Sequence, residues 1–326
     1  MRARIEAFPR EARRAWESGL TWPLPADFRA PARVVVCGMG GSATGGDFLR
    51  AYLRRTLPVE VVRDYELPPC DAHTLLIASS FSGNTEETLA AFASPQAATA
   101  MRLALTTGGR LDEVARATGT PLMAFECDGP PRTAWEYGFL PVLALLGRLG
   151  LVDTTPAEAA LAAIETQAPV LEAFAVALAP QFADRIPFIV GAEHLAPVAR
   201  RWAAQVNENA KRVAFFGEVP EVNHNFLLGL TDARAAGMVA VLLDSTLISS
   251  RTRKRLDLTE RILEQRGVPH ERVLIPGASE VDSMLRGSLL GDWLSWELAR
   301  MEGVDPSDTA VLEQFKADLV TVPPVH

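Results

Sequence analysis

Cysteine is scarce in this 326-residue sequence, with three residues spread along the chain at Cys37, Cys70 and Cys127. An odd number of widely separated cysteines argues against a disulfide framework and predicts free thiols in a reducing compartment. The sequence also lacks His-x-x-x-His, Cys-x-x-Cys and acidic clusters with the spacing of metal ligands. We therefore predict neither a disulfide nor a metal site.

An excess of basic residues is missing as well. The 40 Asp and Glu residues outnumber the 32 Lys and Arg residues, and the net charge is −8. Proteins that bind nucleic acid usually present a basic stripe, so a nucleic-acid partner is not expected. The overall charge does not exclude an anionic substrate, because a nest of backbone N–H groups can bind phosphate whatever the net charge.

Long uninterrupted hydrophobic runs are also absent. The run at 139–146 is far shorter than the roughly 20 residues of a membrane-spanning helix. Residues 1–16 contain no apolar core of signal-peptide length. A content of 48% hydrophobic and 22% charged residues is typical of a folded globular protein. These features predict a cytoplasmic protein without a membrane partner.

What the sequence does contain is a regular alternation of β-branched strands and amphipathic helices. Strands are predicted at 33–37, 58–63, 75–78, 101–105, 121–125, 186–190, 239–243 and 272–275. Helices are predicted at 46–53, 86–92, 110–117, 157–178, 197–208, 251–265 and 281–301. Such alternation predicts an α/β fold with parallel strands covered by helices on both faces.

The pattern restarts after a long helix, which predicts two related sheets in tandem. A chain of this length suits two domains. We divide it into an N-terminal arm at 1–30, a first lobe at 31–153, a connecting helix at 154–180 and a second lobe at 181–326.

Two loops rich in glycine and hydroxyl residues follow the first and third predicted strands. Residues 80–85 read Ser-Phe-Ser-Gly-Asn-Thr, and residues 38–46 read Gly-Met-Gly-Gly-Ser-Ala-Thr-Gly-Gly. Helix N-termini at the carboxyl ends of parallel strands offer free N–H groups, to which hydroxyls add donors for phosphate oxygens. Two such loops on one sheet favour a monophosphate ligand.

Each loop has a second interpretation. Thr85 or Asn84 could simply cap the helix that follows, without any ligand. The glycines of 38–46 resemble a dinucleotide-binding fingerprint, with Asp64 as the acidic residue after the next strand. A Walker loop is excluded, since no Gly-Lys-Ser/Thr follows.

The order and spacing of these loops resemble the sugar isomerase (SIS) domain. Three further stretches are Pro-Pro-Arg at 130–132, Asn-Glu-Asn-Ala-Lys at 207–211 and Pro-Glu-Val-Asn-His-Asn at 220–225. With them, nearly the whole chain is similar to the bifunctional phosphoglucose/phosphomannose isomerase family. The resemblance implies two tandem SIS-type, flavodoxin-like subdomains, with phosphate bound in the first lobe and catalytic residues in the second. It implies interconversion of glucose 6-phosphate and mannose 6-phosphate with fructose 6-phosphate, with no metal and no cofactor.

The resemblance also implies roles for individual residues. Four hydroxyl residues match those that hold the substrate phosphate: Ser42, Ser80, Ser82 and Thr85. Three match other substrate contacts: Gly40, Gly41 and Thr309. Four match catalytic residues: Arg132, Glu208, His224 and Lys316.

The four catalytic candidates suit aldose–ketose isomerisation. One carboxylate over C1 and C2, here Glu208, can move a proton between the two carbons through a cis-enediol. A histidine such as His224 exchanges protons near neutral pH, as ring opening requires, and in the family it comes from the partner of a homodimer. A cation such as Arg132 stabilises the enediolate, and Lys316 matches a lysine thought to help ring opening.

Two positions depart from the family pattern. Phe81 stands where tyrosine is usual, and Gly-Ala-Glu-His at 191–194 lacks the glycine–serine pattern of a second SIS lobe, which argues against phosphate binding there. Two other functions stay open: an SIS enzyme for a different sugar phosphate, and a non-catalytic sugar-phosphate sensor. Such sensors commonly carry a helix-turn-helix DNA-binding domain, for which the short N-terminal arm leaves no room.

Overall fold

The computed structural model describes residues 1–230 and 237–320 and contains two parallel β-sheets. The first sheet is formed by β1 (Arg33–Cys37), β2 (Val59–Val62), β3 (Thr74–Ser79), β4 (Met101–Thr106) and β5 (Leu122–Ala124). The second is formed by β6 (Ile186–Ala192), β7 (Phe215–Val219), β8 (Met238–Asp244) and β9 (His270–Leu274). The predicted α/β class with two tandem parallel sheets is confirmed.

Both sheets have the same strand order at their centre. The first is ordered β2-β1-β3-β4-β5 and the second β7-β6-β8-β9. In each, the earliest strand lies between the next two in the chain, which is the flavodoxin-like arrangement. The connection after β1 therefore runs toward one edge of its sheet and the connection after β3 toward the other. The connections after β6 and β8 diverge in the same way. Ligands of doubly wound sheets bind at such a switch point, beyond the carboxyl ends of the strands.

Helices cover both faces of the sheets, because strands buried on both sides need two apolar layers against them. All six residues of β3, for example, are buried. The helices of the first part of the chain are α1 (Arg2–Thr21), α2 (Gly40–Leu53), α3 (Glu86–Ala93), α4 (Gly109–Thr118), α5 (Leu140–Arg148) and α6 (Thr155–Leu178). Those of the second part are α7 (Ala196–Ala210), α8 (Phe226–Leu230), α9 (Ser250–Arg266), α10 (Glu280–Glu302) and α11 (Ala310–Val320).

Several elements differ from the sequence-based expectation: α5, α8, α11 and β7 were not predicted, and α2 begins earlier than expected. Helix α2 begins at Gly40, although the glycine-rich stretch was predicted to be a turn with the helix starting at 46. The glycines serve close packing inside the helix: a Cβ on Gly41 would lie 2.6 Å from the carbonyl oxygen of Pro131. Strand β7 was not predicted, since Phe215 is exposed and Phe216 half-buried, so the strand lacks a continuous buried run.

One hydrophobic core joins the two lobes. Its buried residues come from strands of both sheets and from α1, α5, α6, α7 and α10. A Cβ on Gly291 of α10 would lie 2.2 Å from the indole of Trp202 of α7, so these two helices pack in close contact. Because interiors are close-packed, this shared core fixes the lobes relative to each other.

Helix α6 concerns the prediction, made from the lack of long apolar runs, that the chain has no helix able to span a membrane. Within the described part of the chain, residues 155–182 form the single segment that is long and apolar enough to cross a membrane by length and composition, and an 18-residue window within it has a mean hydropathy of 1.4. Leu, Ile, Val and Phe side chains contribute most of this value, although polar and acidic residues interrupt the apolar run. One face of α6 packs against α10 and α1, whereas Val170 and Phe174 are exposed.

The domain boundaries stay a prediction. The first sheet falls within 31–153, α6 within 154–180 and the second sheet within 181–326. The end of the second lobe at 326 lies outside the described residues.

Replacement of Gly45 by alanine is expected to destabilise the protein. A Cβ at Gly45 would lie 2.3 Å from the carbonyl carbon of Gly138, so α2 and the turn at 135–138 would have to separate. Overpacking of this kind costs about 1–3 kcal/mol of unfolding free energy. Urea denaturation followed by circular dichroism measures the loss.

Gly229→Ala in α8 is the matched control, because no atom of the described residues lies within 4 Å of a Cβ added there. We expect it to be neutral or slightly stabilising. Equal stability of Gly45→Ala and the wild type would contradict the close-packing argument.

Candidate active site

The loops after β1 and β3 are joined by hydrogen bonds at the switch point of the first sheet. The Ser42 Oγ, in the first turn of α2, accepts a hydrogen bond from the backbone N–H of Phe81 at 3.0 Å. The Ser79 Oγ donates to the carbonyl of Ser42 at 3.1 Å. The two predicted phosphate-binding segments therefore form one structural unit.

The remaining hydroxyl candidates lie in the same loop. The hydroxyls of Ser80 and Thr85 are 2.9 Å apart, and the Ser82 Oγ accepts from the backbone N–H of Asn84 at 3.2 Å. Ser80 is buried and Ser82 is exposed. The loop depends on Gly83, whose φ is +69° and whose Cβ would lie 1.8 Å from the carbonyl oxygen of Gly108.

The simple capping interpretation of this loop is not supported. Thr85 occupies the N-cap position of α3, yet its side chain makes no capping hydrogen bond. The Asn84 Oδ1 accepts from the backbone N–H of Arg110, at the start of α4. The N–H groups of the first turn of α3 are thus left without a side-chain cap, as an anion-binding helix end requires.

A cleft lies beside these loops, at the boundary between the lobes. Its volume is about 120 Å³. Its lining residues are Gly40, Gly41, Thr44, Arg63, Arg132, Arg200, Arg201, Ala204, Gln205 and Glu208. The structure thus brings four of the predicted site residues together, namely Gly40, Gly41, Arg132 and Glu208.

Arg132 and Glu208 face each other across the lobe boundary. Arg132 follows β5 in the first lobe, and Glu208 lies in the last turn of α7 in the second. Their Nη1 and Oε2 atoms are 3.6 Å apart, with 5% of the Arg132 side chain exposed and 36% of that of Glu208. Burial lowers the pKa of Arg132, and the Glu208 charge opposes this. The arrangement offers a reachable carboxylate beside a buried cation.

Neighbouring contacts hold the guanidinium of Arg132 in place. Its Nε donates to the Asn209 Oδ1 at 2.8 Å, and its Nη2 donates to the carbonyl of Pro306 at 2.6 Å. Asn209 belongs to the Asn-Glu-Asn stretch, so one flanking asparagine orients the cation and not Glu208. The other, Asn207, bonds to the backbone of Ala203 and Ala214.

Three further arginines of the cleft were not predicted from the sequence: Arg63, Arg200 and Arg201. Single arginines outside a motif are indistinguishable from surface residues, so the sequence offered no signal for them. Arg63 and Arg200 both pair with the buried carboxylate of Asp47 of α2, the second at 3.8 Å. Asp64, the acidic residue of the dinucleotide alternative, is exposed and does not line the cleft.

The other candidates are not brought to this cleft. His224 is exposed in the turn after β7, with its backbone N–H donating to the carbonyl of Glu221. Lys316 is exposed on α11. The Thr309 Oγ1 donates to Glu313 at the start of α11. Among the described residues, no group of three or more His, Cys, Asp and Glu side chains is placed to hold a metal ion.

Sequence comparisons place the chain among known proteins. Residues 172–319 match the family model of the bacterial phospho-glucose isomerase C-terminal SIS domain. The bifunctional phosphoglucose/phosphomannose isomerase of Caldicellulosiruptor bescii is 32% identical over 96% of this chain and 97% of its own. That of Aquifex aeolicus is 33% identical over 88% of this chain and 90% of its own. This chain belongs to the bifunctional phosphoglucose/phosphomannose isomerase family.

Two other similarities show the breadth of the fold. The C-terminal domain of glucosamine-fructose-6-phosphate aminotransferase from Francisella tularensis has a TM-score of 0.75 at 15% identity, over 94% of this chain and 97% of that one. This likeness shows the fold alone. The D-glucosamine-6-phosphate 4-epimerase of Sulfolobus acidocaldarius is 28% identical over 73% of this chain and 76% of its own. An enzyme with another named activity is therefore also a sequence relative.

In this family member, the switch point of the second lobe is filled by the protein's own carboxylate. Glu193, directly after β6, accepts from the N–H and Oγ of Ser249 at 3.1 and 2.6 Å, and from the Thr252 Oγ1 at 2.7 Å. Burial would raise the pKa of Glu193, but these hydrogen bonds and Arg54 outweigh burial and lower it. The N-terminus of α9 thus already holds an anion, which accounts for the altered sequence at 191–194.

Glu136 is a buried acid behind the cleft. None of its side chain is exposed, and neither carboxylate oxygen has a hydrogen-bond partner among the described residues. Burial raises the pKa of Glu136 to about 8; Arg201 opposes the rise, whereas Asp292 and Glu11 add to it. The folded state therefore holds this proton more tightly than the unfolded chain does.

The sign of the resulting pH dependence follows from linkage. The proton bound to Glu136 makes its full contribution to the unfolding free energy below the ordinary glutamate pKa near 4.5. This contribution is lost as the pH rises to about 8. Glu136→Gln lacks this dependence. As the pH rises across that window, we expect the unfolding free energy of Glu136→Gln to increase relative to that of the wild type, by up to about 1.4 kcal/mol per pH unit.

Urea denaturation at pH 5 and pH 8 measures this difference. Glu17→Gln, at an exposed glutamate of α1, is the control and should follow the wild-type profile. Parallel stability profiles for Glu136→Gln and the wild type would show that Glu136 is already ionised in the folded protein.

Proposed function

We propose that this enzyme interconverts fructose 6-phosphate with glucose 6-phosphate and mannose 6-phosphate through a cis-enediol. The observation that carries the proposal is the pairing of Glu208 with Arg132, 3.6 Å apart at a cleft that begins at Gly40 and Gly41. A reachable base beside a fixed cation suits the transfer of a proton between two carbons with charge developing on the oxygens.

The hydroxyl loops support binding of the substrate phosphate at the far end of the sugar. Ser42 lies one residue after Gly41 of the cleft and is bonded to the loop that carries Ser80, Ser82 and Thr85. A phosphate held there would supply binding energy remote from the reacting carbons and would position C1 and C2 near Glu208.

In the proposed reaction, Glu208 removes the C2 proton of the open-chain aldose and returns it to C1. The C2 hydroxyl proton passes to O1, so that the C1 carbonyl is reduced and the C2 hydroxyl is oxidised within one molecule. Arg132 faces the oxygens that become negative in the enediolate. Glucose 6-phosphate and mannose 6-phosphate differ only at C2, which is planar in the enediol, so both aldoses share this intermediate.

Ring opening is assigned to His224 of a second subunit, with assistance from Lys316. His224 lies outside the cleft of its own chain, and the surrounding surface supports an interface between two copies. Phe226 and Leu228 are 49% and 79% exposed near His224, and Phe315 is 63% exposed next to Lys316. Exposed apolar side chains beside both residues favour an interaction site there. The proposal is a homodimer in which His224 reaches the partner's Glu208 cleft.

Thr309 is proposed to contact the substrate and to permit both epimers. The segment before it is tied to the site, because Arg132 donates to the carbonyl of Pro306 and Lys211 donates to that of Asp308. The composition and the family relatives also support a cytoplasmic location for the enzyme.

Glu208→Gln tests the assignment of the base. We expect kcat for fructose 6-phosphate to fall by at least about 100-fold, because the amide cannot accept the proton. KM should change little, since the phosphate-binding hydroxyls are untouched. A coupled assay that resolves glucose 6-phosphate from mannose 6-phosphate measures both rates.

Glu264→Gln, at an exposed glutamate of α9, is the control for the loss of one charge. Near-normal turnover by Glu208→Gln would defeat the assignment. Wild-type enzyme that is inactive on all three sugars but converts glucosamine 6-phosphate would instead favour the activity named for the Sulfolobus relative.

Mixing two inactive variants tests the homodimer. If each site combines Glu208 of one chain with His224 of the other, a Glu208→Gln/His224→Ala heterodimer has one intact site and one doubly altered site. Random reassembly should then restore about one quarter of the wild-type activity, since half of the dimers are mixed and each has one working site. Activity is measured after the variants are co-refolded at equal concentration.

Each variant refolded alone is the control and should stay inactive. No recovery on mixing, although mixed dimers form, would place both residues in sites of the same chain.

A further inference from the structure

A buried polar network lies directly behind Arg132. The backbone carbonyl of Arg132 accepts hydrogen bonds from the Arg201 Nη2 at 3.0 Å and from the Gln205 Nε2 at 3.4 Å. Both donors also bond to the carboxylate of Asp292, each at 2.7 Å. Arg201 and Gln205 lie one turn apart on α7, and Asp292 lies on α10.

Asp292 accepts hydrogen bonds from both donors of this network. Only 7% of the Asp292 side chain and 3% of that of Arg201 are exposed. Both Asp292 oxygens contact the Arg201 Nη2, and one of them also accepts from Gln205. A buried guanidinium needs a partner charge, so removal of the Asp292 charge would release Arg201 from its present position.

The hydrogen bonds to the Arg132 carbonyl join the two lobes, because Arg132 belongs to the first lobe and the network residues belong to the second. Arg132 follows β5, whereas Glu208 and the network residues belong to α7 and α10. The contacts that Arg132 makes with these helices therefore determine how its guanidinium meets Glu208. The Arg132 side chain joins the same network, since Asn209 accepts from its Nε and donates to the Ser295 Oγ on α10.

We propose that Asp292 is a positioning residue for the isomerase reaction: through Arg201 and Gln205 it holds Arg132 at the distance from Glu208 that stabilises the enediolate. The inference rests on the proposed function. Asp292 does not line the cleft, so it acts through Arg132 and not on the substrate. A displacement of about 1 Å at a reacting centre can cost on the order of 100-fold in rate.

Asp292→Asn keeps the shape of the side chain and removes its charge. We expect kcat for fructose 6-phosphate to fall by about 10- to 100-fold. KM should stay within about twofold, because Asp292 bonds to Arg201 and Gln205 and not to the hydroxyl loops, and the loss concerns the transition state. A role in folding alone would lower the fraction of active enzyme and leave the kcat of the folded fraction unchanged.

Inhibition by two substrate analogues distinguishes an effect on the position of Arg132 from a general loss of protein stability. 5-Phosphoarabinonate carries a carboxylate where the enediolate charge develops, and glucitol 6-phosphate carries no charge there. The wild type should bind the carboxylate analogue more tightly, because Arg132 faces it. Asp292→Asn should lose at least about tenfold of that preference while the inhibition constant of glucitol 6-phosphate stays unchanged.

Asp282→Asn is the matched control on the same helix. Asp282 is also a buried aspartate of α10 that pairs with an arginine, Arg286, at 2.7 Å. It has no hydrogen bond to Arg132 or to the residues that hold it. We expect Asp282→Asn to lower stability and to leave kcat, KM and the analogue preference at wild-type values.

A second variant keeps the test decisive if Asp292→Asn does not fold. Gln205→Met removes one donor to the Arg132 carbonyl and leaves the Asp292–Arg201 ion pair in place. It should lower kcat and the analogue preference in the same direction, by about three- to tenfold.

The outcomes separate this inference from the proposed function. A wild type without isomerase activity would overturn the function itself. An active wild type, with Asp292→Asn indistinguishable from Asp282→Asn in kcat and analogue preference, would overturn the positioning role alone. If Asp292→Asn fails to fold, an unchanged kcat and preference in Gln205→Met would overturn it as well.

Discussion

The packing of two lobes around one core is the constraint on which the site depends. Arg132 comes from the first lobe and Glu208 from the second, and they meet 3.6 Å apart. Each lobe therefore contributes one member of this pair. Buried side chains of α7 and α10 belong to the same core as strands of both sheets, so the packing that holds the lobes together also fixes Arg132 relative to Glu208.

The two lobes use the same topology for different purposes. At the switch point of the first sheet, the hydroxyls of Ser42 and Ser80 surround a helix N-terminus that no side chain caps. At the equivalent point of the second sheet, Glu193 bonds to Ser249 at the N-terminus of α9. The two lobes thus differ at equivalent points, because Glu193 already bonds to the N-terminus of α9 whereas the N-terminus of α3 has no side-chain cap.

Buried charge is concentrated behind the cleft. Arg201, Asp292 and Glu136 lie close together beneath Arg132, and burial raises the pKa of both acids. Burying ionic groups is costly, so such a cluster is weak evidence for stability. In the proposed reaction, these rigid and solvent-excluded partners would hold Arg132 in place, so that it need not reorganise as charge develops on the substrate.

The sequence by itself determined the α/β class, the tandem sheets and the loops after β1 and β3, because hydrophobic period and glycine–hydroxyl patterns are local properties. The Asn-Glu-Asn stretch likewise indicated Glu208. Tertiary structure alone decided that Asn209 bonds to Arg132, that Glu193 bonds to the N-terminus of α9 and that Asp292 bonds to Arg201 and Gln205 behind Arg132. These contacts join residues up to about 90 positions apart in the chain, and no local pattern encodes which distant side chains packing brings together.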